Sequence, residues 1–204
     1  MAMGPKKKAK LITLLSAIVS LLSFGYKLTL GIMTMSLVLM IASLSTFLVF
    51  VCKAAFVKFL TATRERKKKA YLVMAISVLL YAAIFILFVV LKVNNIDISN
   101  QKTYEGLWGA LFIGFIVLMF GLSLFNLHGA LEKTDLMVIG LKEMIFVSAL
   151  ADLVIIEEFV SRIILQYQDI EFMPAINAYF CMGVGAFMAI IGVLMIVRFA
   201  KYKA

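Results

Sequence analysis

The chain has 204 residues, of which 64% are hydrophobic and 15% are charged, and its mean hydropathy is +1.08. This composition lies outside the range of soluble globular domains and is typical of polytopic membrane proteins. No polar stretch between the apolar segments is long enough to form a soluble domain. The formal net charge of +9 therefore bears on orientation in a membrane and does not indicate nucleic acid as a partner.

Six apolar segments predict an all-α integral membrane protein with six transmembrane helices. The approximate spans are 11–25, 32–51, 70–91, 106–127, 136–160 and 175–199. The basic stretch 1–10 precedes span one, which we expect to be retained because no A-x-A-like cleavage site occurs before Tyr26. Tyr26, Lys27 and Gly31 interrupt the first apolar run and predict a tight outer turn between spans one and two.

Two further features mark the later spans. His128 and Gly129 are expected to end span four. Span six contains small residues at spacings that favour close contact with another helix. These residues are Gly183, Gly185, Ala189 and Gly192.

Lysine and arginine are concentrated on one side of the predicted topology. Of the 20 basic residues, 15 lie at the two ends of the chain, in the segment 53–69 or in the loop before span five. The positive-inside rule then places both termini in the cytoplasm and the protein in a plasma or inner membrane. Segment 53–69 contains Glu65 as its only acid, so we expect it to contact anionic lipid headgroups. The candidates for lipid contact are Lys58, Arg64, Arg66, Lys67 and Lys68.

The apolar stretch from Leu136 to Gln166 carries unusually many ionisable residues. They are Lys142, Glu143, Asp152, Glu157, Glu158 and Arg162. In a helix that begins near Asp135, Asp152 would lie about 25 Å along a hydrocarbon core about 30 Å thick, before any tilt is allowed for. Glu143 and Glu157 fall within about 40° of each other around the helix, whereas Asp152 projects elsewhere. One face of the helix therefore cannot hold all six groups.

Ionisable groups within a membrane face the bundle interior or water, and they mark ion or substrate pathways. We therefore predict that Asp152 binds an ion within the membrane. Glu143 and Glu157 are candidates for relay groups, and Ser148 and Ser45 are candidates for secondary polar contacts.

Common catalytic and cofactor signatures are absent from the sequence. There is no phosphate-binding glycine loop, no dinucleotide-type loop, no H-E-x-x-H motif and no cysteine cluster. The single histidine, His128, excludes a multi-histidine zinc site within one chain. We predict no catalytic residue and no cofactor, and the identity of any metal is left open.

The six-span architecture and the run from Gly31 to Ser45 resemble the transmembrane domain of cation diffusion facilitators. That family binds divalent metal with paired D/H-x-x-x-D motifs on its second and fifth helices. The matching positions are Ser45 and Val49 on span two and Ser148 and Asp152 on span five, of which only Asp152 is a ligand type. The resemblance implies a shared fold and a cation site that includes Asp152.

A second resemblance is local. Residues 157–162 read Glu-Glu-Phe-Val-Ser-Arg, which is similar to the E-E-x-x-x-R motif of CAAX-type intramembrane proteases. In that family the acids activate water with help from histidines on later helices, and here no histidine follows Arg162. A Glu158 to Arg162 ion pair at helical spacing explains the same residues structurally.

Three functions follow from these patterns. The first is a small transporter-like protein that moves a cation or a cation-coupled small solute, with Asp152 as the intramembrane acid. The second is a non-catalytic membrane scaffold or accessory subunit that uses the basic segment for lipid or partner contact. The third is an intramembrane protease of the CAAX type. A bundle this small is also expected to form a homodimer or to bind another membrane protein.

Overall fold

The computed structural model describes residues 5–33, 36–59, 61–93, 107–131, 135–167 and 173–202. They form α1 (Pro5–Met33), α2 (Leu37–Phe59), α3 (Arg64–Val93), α4 (Leu107–Leu131), α5 (Leu136–Tyr167) and α6 (Met173–Lys201). Four helices contain a stretch long and apolar enough to cross a membrane, namely Lys10–Met33, Leu37–Phe59, Arg64–Leu91 and Ile176–Lys201. The all-helical class is thereby confirmed, and the composition of these helices is compatible with a membrane protein. The number of spans and the side on which the termini lie stay predictions.

Helix α5 is the centre of the bundle, because it packs against α2, α3, α4 and α6. Helix α6 also packs along α3, and α1 packs along α2. Within the described residues, α1 and α4 do not pack on each other. They lie on either side of the α2 and α5 pair, with a gap between them.

The connection between α1 and α2 differs from the predicted turn at Tyr26, Lys27 and Gly31. Helix α1 continues through these residues to Met33, and α2 begins only at Leu37. Ser36 caps α2, because its hydroxyl accepts a hydrogen bond from the Leu39 amide at 3.3 Å. Gly31 is needed for the close approach of the two helices, since a Cβ atom there would lie 3.0 Å from Met40 Cγ. The charge of Lys27 does not end the helix because Asp152 of α5 neutralises it.

Two other predicted boundaries also move. Helix α4 runs through His128 and Gly129 to Leu131, because one glycine in a helix costs only about 1 kcal/mol and the apolar sequence continues beyond it. Helix α2 continues beyond the span boundary at residue 51 to Phe59, and this continuation is the one that the apolar residues Phe56, Val57 and Phe59 of the basic segment predict. The basic segment 53–69 is therefore divided between the last turns of α2 and the first turns of α3.

The small residues of α6 serve close packing at two of the predicted positions. A Cβ atom added to Gly185 would lie 2.8 Å from Ile86 Cγ1, and one added to Gly192 would lie 2.6 Å from Leu79 Cδ2. Both contacts are with α3. Gly183 has no such neighbour, since a Cβ atom there would meet nothing within 4 Å, so its predicted role in close packing is wrong within the described structure.

One end of the bundle brings together the start of α3, the start of α5 and the end of α6, and we call it the basic end. Lys67 Nζ lies 2.6 Å from Asp135 Oδ2, and Lys68 Nζ donates to the Tyr202 carbonyl at 2.7 Å. Arg64 Nε donates to the Tyr202 hydroxyl at 3.2 Å. Three of the five predicted lipid-contact residues thus have partners within the protein. Their contact with lipid stays a prediction.

Candidate functional site

Asp152 faces α1 and α2, and both of its carboxylate oxygens are bound by Lys27 of α1. Lys27 Nζ lies 2.6 Å from Oδ1 and 2.7 Å from Oδ2. The same ammonium donates to Thr46 Oγ1 of α2 at 3.1 Å. These three bonds match the three donors of an ammonium group. The Lys27 residue is 5% exposed and the Asp152 side chain is 16% exposed, so the pair is largely withdrawn from the surroundings.

The pairing is possible because the two residues lie at the same height in the bundle. Lys27 is 17 residues beyond Lys10, where the apolar stretch of α1 begins, and Asp152 is 17 residues beyond Asp135, so each lies about 25 Å beyond that starting residue. Helix α1 reaches this height only because it continues through Tyr26. A buried acid and a buried base are each costly alone, and pairing offsets much of that cost.

The hydroxyl groups next to the pair connect α2 to α5. Ser45 Oγ and Ser148 Oγ lie 3.0 Å apart, one helical turn from Asp152. Ser45 also donates to the Ala42 carbonyl at 2.7 Å. Two of the predicted secondary contacts are therefore brought together, but they bond to each other and not to Asp152. Val49, the fourth position of the predicted metal motif, contributes an apolar surface.

A cavity of about 470 Å³ lies beside the pair, between α1 and α4, with α2 and α5 behind it. Its volume falls in the range of small-molecule sites. Its polar lining consists of Ser16, Ser20, Ser23, Tyr26, Lys27, Thr46, Lys53, Ser123, Ser148 and Asp152. Its apolar lining consists of Val19, Leu22, Val49, Ile116, Met119, Ile145 and Ala149. The cavity thus combines an apolar wall with hydroxyl groups and charged ends.

Lys53 of α2 occupies the end of this cavity nearer the basic end. Its ammonium donates to Ser20 Oγ at 2.7 Å and to the Ser16 carbonyl at 3.2 Å. Both partners are neutral, and no acid pairs with Lys53 among the described residues. Since Ser20 lies seven residues before Lys27 on α1, about 10 Å separates the two charged ends of the cavity. Asp152 compensates the charge of Lys27. The positive charge of Lys53 is therefore not compensated by an acid of the cavity lining.

Glu143, a predicted relay group, lies in a different cluster between α3, α5 and α6. Tyr71 donates to its Oε2 at 3.0 Å, and Arg198 donates to its Oε1. Arg198 also donates to the Tyr71 hydroxyl at 3.2 Å. Glu143 is 5% exposed and Tyr71 is fully buried, and neither lines the cavity beside Asp152. The structure therefore does not bring Glu143 together with Asp152.

Glu157 is also separate from Asp152. Ser161 donates to its Oε1 at 2.8 Å, and the same hydroxyl lies 2.9 Å from Asn177 Oδ1 of α6. Glu157 thus joins a contact between α5 and α6 near the far end of the bundle. The side chain of Arg162 lies outside the described residues, so its predicted pairing with Glu158 stays a prediction.

Three side chains that matter here were not predicted as site residues, namely Lys27, Thr46 and Lys53. The sequence predicts that Lys27 lies in the turn between spans one and two, because a lysine in an apolar run usually marks a helix end. A usable signal was the position of Lys27, which is as far along span one as Asp152 is along span five. Lys53 was assigned to the basic segment, and only the continuation of α2 shows that it lines the cavity.

Among the residues that the structure describes, no three histidine, cysteine, aspartate or glutamate side chains are grouped as ligands for one metal ion. A cation at Asp152 would rely on one carboxylate together with neutral oxygens. Comparisons with protein-family models, with curated proteins and with solved structures gave no match. The function must therefore be inferred from the geometry itself.

Proposed function

We propose that this protein is a small transporter-like membrane protein that moves a small solute together with a cation. The solute binds in the cavity between α1 and α4, and the cation competes with Lys27 for Asp152. The observation that carries the proposal is the buried Lys27 and Asp152 pair in the wall of a cavity lined by hydroxyl groups. Intramembrane ionisable residues beside a cavity are a recurrent feature of solute and ion pathways.

The position of α1 supports a coupling role for this pair. Helix α1 packs along α2, and it meets the central helix α5 through the bonds from Lys27 to Asp152. A proton or metal cation that takes the place of the ammonium would remove this attachment. The gap between α1 and α4, and with it the cavity, would then be free to change shape. Binding of the cation would in this way alter the solute site.

The charges of the lining favour a solute with an anionic group. Lys53 is bound only by the neutral oxygens of Ser16 and Ser20, so a carboxylate or phosphate oxygen can use its remaining donor. The apolar wall between Lys53 and Asp152 would contact the body of the solute. A small organic anion that travels with a cation fits both ends of the cavity.

The first test is calorimetric titration of the purified protein with Na⁺ and with Mg²⁺. We expect saturable binding of at least one cation, and we expect Asp152→Asn to abolish it. Lys27→Gln should tighten cation binding about tenfold or more, because it removes an ammonium in direct contact with the carboxylate. Glu65→Gln, which removes an exposed acid of α3 that does not line the cavity, is the matched control and should bind like the natural chain.

The second test measures uptake of small carboxylates and organic phosphates into liposomes that contain the protein. The variant Asp152→Asn/Lys27→Met, which removes both charges, should retain the fold but lose cation-dependent uptake. Cation binding that survives Asp152→Asn would refute the role of Asp152. Absence of cation binding in every variant, together with co-purification of another membrane protein, would favour the scaffold alternative.

A further inference from the structure

A second depression in the surface lies between α2 and α3, away from the cavity of the proposed transport site. It has a volume of about 370 Å³ and lies near the basic end. Helix α2 contributes Leu48, Val51, Ala55 and Phe59, which recur every three or four residues and so share one face. Cys52 of α2 and Met74 of α3 form its buried floor. We call this feature the α2/α3 groove.

The groove opens to the outside of the bundle. Val51 on one wall is 43% exposed and Val73 on the other is 64% exposed. In a membrane these surfaces face lipid. From Leu48 to Phe59 the groove is about 16 Å long, which is close to half of a hydrocarbon core about 30 Å thick. Its length therefore matches the acyl region of one leaflet.

The mouth of the groove carries two basic side chains, Arg66 and Lys69 of α3. Both residues are exposed. Neither has a hydrogen bond or ion pair with another residue in the described parts of the chain. The intervening residues differ, because Lys67 binds Asp135 and Lys68 binds Tyr202. Within one turn of α3, Lys67 and Lys68 thus bind other parts of the bundle, and Arg66 and Lys69 at the groove keep their donors available.

We propose that the α2/α3 groove binds one anionic phospholipid. An acyl chain lies against the apolar walls, and the phosphate lies between Arg66 and Lys69. The apolar length and the two positive charges at one end complement the two parts of such a lipid. A zwitterionic lipid would fill the same walls, but its headgroup would gain less from the two basic side chains. This site does not depend on solute transport.

Native mass spectrometry tests the proposal. The protein is released from detergent micelles that contain both phosphatidylglycerol and phosphatidylcholine. We expect one retained phosphatidylglycerol per chain. The double variant Arg66→Gln/Lys69→Gln should lower the preference for phosphatidylglycerol over phosphatidylcholine about tenfold or more. The matched control is Lys58→Gln/Lys201→Gln, which removes the same charge from exposed residues outside the groove, and it should retain the preference.

A further variant tests the apolar part of the site. Ala55→Trp fills the groove from α2 and should reduce retention of both lipids, while thermal unfolding in detergent checks that the bundle is intact. Equal loss of phosphatidylglycerol in the control and in Arg66→Gln/Lys69→Gln would overturn the proposal, because general surface charge would then explain binding. Unchanged retention in the folded Ala55→Trp variant would overturn it as well.

Discussion

Glu143 and Asp152 are acids of the same central helix, nine residues apart, and each is bound by a basic residue of another helix. Their surroundings differ. Glu143 is enclosed by Tyr71 and Arg198, whereas Asp152 lies in the wall of a cavity. Burial and pairing are therefore common to Glu143, which joins helices, and to Asp152, for which we propose an exchange of partner. The adjacent cavity distinguishes the two.

The largest expected loss of stability follows from breaking the enclosed cluster. Glu143→Leu removes the acceptor of both Arg198 and Tyr71, so the buried Tyr71 hydroxyl has no acceptor for its proton and the partly buried Arg198 guanidinium loses its counter-charge. We expect the free energy of unfolding to fall by about 3 kcal/mol. Thermal unfolding in detergent, followed by circular dichroism, measures the change.

The triple variant Tyr71→Phe/Glu143→Leu/Arg198→Leu is the control for this prediction, because it also removes the buried hydroxyl that bonds Glu143 and Arg198. Apolar side chains can replace a buried ion pair with little loss, so it should recover most of the stability. Asp152→Asn should lower the free energy of unfolding less than Glu143→Leu does, because the amide oxygen of asparagine can still accept a hydrogen bond from Lys27. A larger loss for Asp152→Asn would reverse the distinction drawn between the two acids.

A smaller loss is expected from filling the close contact next to the enclosed cluster. A Cβ atom on Gly140 of α5 would lie 2.7 Å from Tyr71 Cδ2, and the buried Tyr71 ring cannot move without disturbing its bonds to Glu143 and Arg198. Gly140→Ala should therefore destabilise the protein by about 1–3 kcal/mol. Gly183→Ala, where a Cβ atom meets nothing within 4 Å, should be neutral or slightly stabilising in the same thermal assay. Equal effects at the two glycines would contradict the packing described for Gly140.

The smallest effect is expected beside the cavity. Ser148→Ala removes the hydroxyl of α5 that hydrogen-bonds to Ser45 of α2. It should lower the free energy of unfolding by about 1 kcal/mol. Ser123→Ala is the matched control, because Ser123 also lines the cavity but donates to the Phe120 carbonyl of its own helix at 2.8 Å. Chemical denaturation in mixed micelles compares the two variants. A loss at Ser123 as large as that at Ser148 would show that the link between the helices contributes little.

The predictive value of the sequence varied between parts of the chain. Apolar segment lengths were sufficient to find the six helices of the described structure, because long apolar runs separated by short polar stretches favour helices. Helix ends were predicted less well, because some residues that usually terminate a helix lie within one here. Lys27 and Gly129 both lie inside helices, the first because Asp152 compensates its charge and the second because the apolar sequence continues.

The candidate site was predictable only in part. Asp152 is a candidate from the sequence because of its depth in an apolar segment, and the structure places it in the wall of a cavity, bound by Lys27. Its role in binding a cation stays a prediction. Its partner could not be chosen from the sequence, since several basic residues lie at helix ends and pairing depends on which helices become neighbours. Glu143 and Glu157 illustrate the same limit, because each faces a different helix from the one that Asp152 faces.

The sequence by itself determined the class of the protein, the approximate helices and the presence of costly charges on α5. These properties depend on local composition and on the free energy of placing a residue in an apolar medium. Only the tertiary structure decided which of those charges lies beside a cavity and which basic residues remain available at the surface. Such properties depend on the relative rotation and height of separate helices, and these are set by packing between residues far apart in the chain.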